Sequence, residues 1–290
     1  MRLVGMCVAA LMLVGCGAED AADDVKDAVD PVAQAADKMA ASGGARVEGD
    51  MLVRAPDLVI PMRMDGAVSF EDHEAQFVMD YAEGGIAGAT ARQMEVARRE
   101  ADFPVRLVMR TDETYASTPS IVRRGKEDGV RWIKVDLEEA DEQGEFDLSG
   151  INQMSEINPE AMLRFLKTVA DARESGSRTI DGVATTRYTA TVDIRDYPET
   201  VEPERREAAE RTVDLLIEAW GSPTHRVNVW IDSDGLIRRE EFSYSFTDAG
   251  EKVRAELVLD YLDAGKPQEI EVPDGDEVVD VTDEFVERFN

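Results

Sequence analysis

The chain has 290 residues, with 62 acidic against 32 basic side chains and a formal net charge of −30. A surface this negative repels nucleic acid and anionic headgroups, which excludes nucleic acid as a partner; the charge most simply indicates a soluble surface or a saline habitat. The 2 cysteines and 2 histidines lack zinc-binding spacing, and the motifs of nucleophilic serine, zinc-protease and phosphate-binding sites do not occur. We therefore predict no catalytic residue and no metal ion.

The N-terminus has the pattern of an export signal. Arg2 precedes an apolar run over residues 3–15, which is too short to cross a bilayer as a helix of ~20 residues. The run ends in Leu13-Val14-Gly15-Cys16, which resembles the bacterial lipobox, whose cysteine receives diacylglycerol before cleavage. We predict a signal peptide at residues 1–15 and a covalent diacylglycerol on Cys16, with no other cofactor. An ordinary secretory signal with an incidental cysteine is the alternative.

Residues 16–30 have the composition of an acidic tether, because six acids accompany a single base, Lys26. Like charge keeps such a segment away from anionic lipids and so holds the following domain off the membrane. Apolar spacing after Pro31 predicts a helix over residues 31–41, which Ser42-Gly43-Gly44 ends.

The region after this helix alternates between apolar and polar residues. The alternation predicts strands over residues 47–53, 60–64 and 76–81, each with one solvated and one buried side. Asp65-Gly66 has the chemistry of a tight turn. Glycines at positions 84, 85 and 88 favour a flexible surface insertion over residues 84–102, in which residues 90–101 fit a helix or a charged strand.

The middle of the chain returns to a mixed pattern. Residues 105–115 and 132–137 have strand character, and the acidic stretch over residues 138–150 is typical of a loop. Asn158-Pro159 is a helix start, followed by an apolar stripe over residues 162–170 that we expect Gly176 to end.

Turn signals then separate further strands. A turn at Asp181-Gly182 leads into a strand over residues 184–194, and Glu202-Pro203 opens a helix with an apolar side that ends at Trp220. Strand patterns follow at residues 227–231, 242–246 and 253–261.

Asp232 and Asp234 stand between the first two of these strands and allow two interpretations. Asp234-Gly235 predicts a hairpin turn. A calcium loop is the alternative, but it needs further ligands and a distal glutamate that this spacing lacks.

Together the elements predict an α+β fold: a large curved antiparallel sheet of nine or ten strands, with helices packed on one side. No linker interrupts the pattern, so we predict a single domain over residues 31–282 and an acidic tail at residues 283–290.

Several blocks resemble the LppX/LprG-type (LolA-like) lipoproteins of actinobacteria. The blocks are I-D-G-V-A-T-T-R-Y at residues 180–188, V-W-I-D-S-D-G-L-I-R-R at 229–239, and Asp260-Tyr261, Gly265-Lys266-Pro267, Val272-Pro273 and residues 278–281 near the end. Upstream, residues 113–115 and 131–135 are similar to the broader LolA-like group. The resemblance implies an open half-barrel with helices packed on its concave face and an apolar cavity for acyl chains between the two layers.

The candidate cavity residues are apolar side chains on the strand and helix faces expected to meet. They are Met62, Met64, Met109, Leu166, Val213, Ile217, Phe242, Tyr244, Leu257 and Leu259. Ordinary core packing predicts the same pattern. We expect a lipid-anchored protein at the outer face of the cell membrane that holds or carries a lipid or lipoglycan and cooperates with an unknown envelope transport partner. The alternative is a non-enzymatic envelope sensor or assembly protein with a collapsed cavity; an enzyme is a distant third.

Overall fold

The computed structural model describes residues 30–55, 58–81, 102, 104–126, 128–143, 159–201, 203, 206–248 and 251–289. The predicted signal peptide, the anchor at Cys16, nearly all of the tether and almost all of the 84–102 insertion lie outside these residues. Within them, no helix is both long enough and apolar enough to cross a membrane.

One sheet of twelve strands organises the fold. The strands are β1 Gly44–Ala55, β2 Leu58–Ser69, β3 Glu74–Tyr81, β4 Val105–Met109, β5 Glu113–Ser117, β6 Trp132–Asp136, β7 Val169–Ile180, β8 Val183–Asp193, β9 Thr224–Asp232, β10 Ile237–Asp248, β11 Glu251–Leu262 and β12 Val278–Asp280. Their order is β12-β6-β5-β4-β3-β2-β1-β11-β10-β9-β8-β7, and only the β12–β6 pair is parallel among these strands. Because β12 and β7 do not pair, the sheet stays open, and the predicted open half-barrel is confirmed.

The described helices are six α-helices and two short 3-10 segments. The α-helices are α1 Pro31–Ala40, α2 Pro119–Arg124, α3 Leu137–Gln143, α4 Pro159–Leu166, α5 Arg206–Trp220 and α6 Thr282–Phe289, and the 3-10 segments are Ile194–Thr200 and Gly275–Glu277. Helix α1 begins at Pro31, as the sequence predicts, and the structure adds its N-cap: Asp30 Oδ1 accepts a hydrogen bond from the Val32 amide at 2.8 Å.

The main core lies between one face of the sheet and helices α1, α4 and α5. Residues of β1 that point to this face stand opposite apolar residues of β11, as in the pairs Val47–Tyr261 and Met51–Leu257. Side chains alternate along a strand, so the same period that the sequence shows places every second residue in the core. From the helical layer, Met39 and Leu163 are fully buried.

Three sequence predictions about local structure are wrong. Asp65-Gly66 is not a turn but lies inside β2, where Gly66 faces Phe77 of β3. A Cβ on Gly66 would stand 2.0 Å from the Gln76 carbonyl oxygen and 2.4 Å from Phe77 Cδ1, so the glycine makes room for a neighbouring strand. The acidic stretch after Asp136 is helical over Leu137–Gln143, with acids in the first turn where the helix dipole favours them.

The third error concerns the end of α4. The helix stops at Leu166, and the Thr168 amide donates to the Phe165 carbonyl at 3.0 Å. Val169 then begins β7, and Gly176 lies within this strand at an irregularity in its pairing with β8. Val169 and Ala170 therefore pair with β8 as strand residues, although their spacing also suits a helix.

The C-terminal end is ordered against the far edge of the sheet. Residues assigned to the acidic tail form α6, and Val286 is buried with Val135, Leu137 and Ala140 in a second, smaller core. Thr282 Oγ1 accepts a hydrogen bond from the Asp136 amide at 2.9 Å. The sheet has twelve strands where the sequence predicts nine or ten. One reason is that a turn at Arg110 divides residues 105–115 into β4 and β5.

Candidate functional site

The ten predicted cavity residues contribute to one continuous core and its margin. Seven are buried, with at most 6% of each side chain exposed; they are Met64, Met109, Leu166, Val213, Phe242, Leu257 and Leu259. The other three, Met62, Ile217 and Tyr244, are half-buried. The helix and strand residues therefore lie in one core, where most of them fill space rather than enclose it.

The cavity near the predicted methionines is small. It has a volume of about 20 Å³ and is lined by Gly49, Met51, Met62, Arg63, Met64, Met79 and Leu257. A space of this size holds about one water molecule and no acyl chain. A larger open space lies elsewhere in the described part of the chain.

That space begins where two neighbouring strands separate. The pairing of β10 with β9 ends at Phe242 and Val227, although β9 continues back to Thr224 along β8 and β10 continues to Asp248 along β11. The separation leaves a cleft of about 620 Å³. Its lining comes from the end of α5, the start of β9 and the far half of β10, with Arg254 of β11; the residues are Glu218, Trp220, Gly221, Ser222, Thr224, His225, Arg226, Ser243, Tyr244, Ser245, Phe246 and Arg254.

An aromatic cluster forms the inner wall of this cleft. The ring centroid of Trp220 lies 4.9 Å from that of His225, edge on, and 5.2 Å from that of Tyr244. Tyr244 in turn stacks on Phe246 with centroids 5.9 Å apart. Aromatic pairs at these distances attract beyond their apolar burial, so the wall is stabilised as a unit.

Of the ten predicted cavity residues, Tyr244 lines this cleft. Trp220 is recognisable as the last residue of the α5 stripe, and Phe246 continues the alternation of Phe242 and Tyr244 along β10. His225 carries no such signal. Its position depends on where β9 turns away from β10, which is a tertiary feature.

The inner wall carries no charge at neutral pH. His225 is buried, and its Nε2 donates to the Ser222 carbonyl at 2.9 Å; burial lowers the pKa of this imidazole below its ordinary value. The neutral form is therefore favoured beside Trp220 and Phe242. A cleft with one uncharged aromatic side suits an apolar ligand segment.

The inward-facing surface continues from this wall across neighbouring strands. Met51, Met62 and Met79 lie on the core side of β1, β2 and β3, and all three are half-exposed, as are Tyr244 and Phe246 on β10. Register places Met51 between Met62 and the buried Leu257. The apolar face of the sheet thus extends past the closed core toward the strand ends.

The turn between β9 and β10 is confirmed as a hairpin. Asp232 Oδ1 accepts from the amides of Asp234 and Leu236 at 2.8 and 3.0 Å, and its Oδ2 accepts from Arg238 Nε at 2.6 Å. Both oxygens of the Asp232 carboxylate therefore accept hydrogen bonds within the turn. Across the described residues, no group of three or more His, Cys, Asp or Glu side chains is arranged to hold a metal ion.

Comparisons with known proteins return weak similarities. No family model matches the chain. An uncharacterized 31.2 kDa protein of Streptomyces griseus, from the rplA–rplJ intergenic region, is 24% identical over 255 residues, covering 85% of this chain and 77% of the relative. Among solved structures, LprF from Mycobacterium bovis has a TM-score of 0.44 at 12% identity, covering 84% of this chain and 96% of that one.

The lipoprotein LppX of Mycobacterium tuberculosis gives a TM-score of 0.41 at 14% identity, and the match covers 83% of this chain and 100% of LppX. LppX gives its name to the group that the sequence blocks resemble, so the predicted resemblance is confirmed as a similarity. Both TM-scores are below 0.5, and the function therefore has to be inferred from the residues of this chain.

Proposed function

We propose that the protein is a membrane-anchored lipoprotein that holds the acyl chain of a lipid or lipoglycan against the inner face of its sheet. The observation that carries the proposal is the half-exposed apolar surface of Met51, Met62, Met79, Tyr244 and Phe246, which continues into the cleft beside Trp220. An acyl chain that covers such a surface removes apolar area from water, worth ~25 cal/mol per Å². No catalytic group is needed for that gain.

The size and chemistry of the cleft agree with this proposal. Its volume of about 620 Å³ lies within the range of small-molecule sites, roughly 300–1,000 Å³. The methionine side chains beside it are unbranched and flexible, so they adapt to chains of different shape. Export and anchoring at Cys16 would keep the site near the outer face of the cell membrane, and the acidic tether would hold the domain off the bilayer surface.

Lipid occupancy tests the proposal directly. Protein expressed in its native envelope is analysed by native mass spectrometry and by organic extraction, and we expect co-purifying lipid. Met79→Gln, on the inner face, should lower that occupancy. Val78→Gln is the matched control, because Val78 is the next residue of β3, faces outward and is 41% exposed. Equal occupancy in the two variants would contradict an inner-face site.

A second function, envelope sensing or assembly without a lipid, is favoured by one observation. The enclosed cavity among the methionines is only about 20 Å³, as expected if the interior is collapsed. Protein that remains free of lipid after purification from its envelope, and that binds no added lipid, would support this alternative over the carrier.

A further inference from the structure

The outer side of the same cleft is cationic. Side chains alternate along a strand, so Arg226 points to the face opposite its buried neighbours His225 and Val227. On β11, Arg254 is exposed on that outer face and stands opposite Ser245 of β10. Both arginines line the cleft. The separation of β9 from β10 therefore places an aromatic wall on one side of the sheet and two guanidinium groups on the other.

These arginines are only partly neutralised. Arg254 Nε lies 3.0 Å from Glu256 Oε1, but Arg54 of β1 also approaches Glu256, with Nε 3.7 Å from Oε2. One carboxylate is thus shared by two guanidinium groups. Arg226 forms no ion pair with any residue that the structure describes, and the acidic side chain of the cleft lining is the exposed Glu218.

This local excess of positive charge contrasts with the negative net charge of the whole chain. With a net charge of −30, most of the surface repels anions. A basic group left without a carboxylate partner in such a protein marks a place where an anion gains attraction from nearby charge without competition from a fixed counter-ion.

We propose that the cleft binds a single-chain anionic amphiphile, with its acyl segment against Trp220 and Tyr244 and its carboxylate or phosphate headgroup on Arg226 and Arg254. This inference rests on the proposed lipid-holding function and adds the charge class of the ligand. Arginine suits both headgroups because its planar donors match two acceptor oxygens at once. An uncharged lipid would leave these donors unused.

The test compares two fluorescent probes with the same acyl chain, a long-chain fatty acid and its methyl ester. Both are titrated into the full chain carrying Cys16→Ser, which removes the protein's own acyl groups as competitors. We expect tighter binding of the acid, and a loss of about tenfold in its affinity in R226Q/R254Q, since each exposed ion pair contributes up to about fivefold. Ester affinity should not change.

Three variants and conditions make the result specific. Glu218→Gln should strengthen binding of the acid, because it removes the carboxylate beside the headgroup. Arg178→Gln is the control for charge, since Arg178 is an exposed residue of β7 outside the cleft lining, and it should leave both probes unaffected. Raising the salt concentration should weaken binding of the acid but not binding of the ester.

The outcomes separate the two proposals. Equal affinity for acid and ester, unchanged in R226Q/R254Q, would overturn the anionic headgroup site and leave lipid holding intact. Failure to bind either probe would overturn the lipid-holding function, and this inference with it. Displacement of the acid by inorganic phosphate without an acyl chain would show a free-anion site and would also overturn the amphiphile proposal.

Discussion

Glu240 is a carboxyl group inside the main core, and its replacement by glutamine should remove a large pH dependence of stability. The residue is 3% exposed and stands between Val229 of β9 and Leu259 of β11. Its Oε1 has no hydrogen bond, and neither does the hydroxyl of the neighbouring Tyr261. A carboxylate in this position would lose its hydration and gain only the nearby Tyr261 hydroxyl in compensation.

The size of the effect follows from the pKa. Burial raises the pKa of Glu240 from 4.5 to about 8, and the nearby Tyr261 hydroxyl offsets only part of this shift. The pKa of Glu240 is higher in the folded protein than in the unfolded chain. Its contribution to the free energy of unfolding is therefore fully present below pH 4.5. It is lost as the pH rises from 4.5 to about 8, at about 1.4 kcal/mol per pH unit and about 5 kcal/mol in all.

Urea unfolding at pH 5, 6, 7 and 8 measures this slope. The free energy of unfolding of wild type should fall relative to Glu240→Gln by about 3 kcal/mol between pH 5 and 7. Comparing the two proteins cancels the pH dependence that their many shared acids produce. Glu241→Gln, at the adjacent outward position, controls for the loss of one negative charge. Parallel stability curves for wild type and Glu240→Gln would refute a protonated Glu240 in the folded protein.

Three further predictions concern the cleft and the sheet. Burial lowers the pKa of His225 below 6.5, so wild type should lose stability relative to His225→Gln as the pH falls below that value. Urea unfolding in the acid range measures this difference in stability. A gain in the relative stability of wild type at acid pH would contradict the burial of His225. Asp232→Ala should cost about 2–4 kcal/mol in thermal or urea unfolding, because it leaves two turn amides and Arg238 unpartnered, whereas Asp232→Asn should cost less. Gly66→Ala should cost at least about 2 kcal/mol, since its Cβ meets strand backbone, and Gly49→Ala should cost less because its Cβ meets flexible side chains; equal losses would count against the close approach of β2 and β3.

Local sequence patterns were sufficient for most strands and for their orientation. The alternation in β1, β2 and β11 assigns the inward residues correctly, because side chains change face at every residue whatever the partner strand is. The hairpin at Asp234-Gly235 is also local, since its hydrogen bonds join residues at most four apart. The sequence also suggests an anchor at Cys16, a prediction that lies outside the described residues.

Local patterns failed where a distant strand decided the outcome. Asp65-Gly66 has turn chemistry, but Phe77 of β3 needs the space that Gly66 leaves, and β2 runs straight through. Val169 continues a helical stripe, yet pairing with Val192 of β8 makes it a strand residue. In both cases the hydrogen bonds of a sheet outweigh a preference carried by a few neighbouring residues.

The alternation of apolar and polar residues predicts a curved antiparallel sheet with an apolar inner face, and the family resemblance implies that the sheet is open. Where that inner face stays uncovered depends on contacts between segments that are far apart in the sequence. The cleft exists because β9 and β10 stop pairing after Val227 and Phe242, and the end of α5 brings Trp220 to that point. Strand separation depends on register between segments that also pair with β8 and β11, so no pattern within β9 or β10 encodes it.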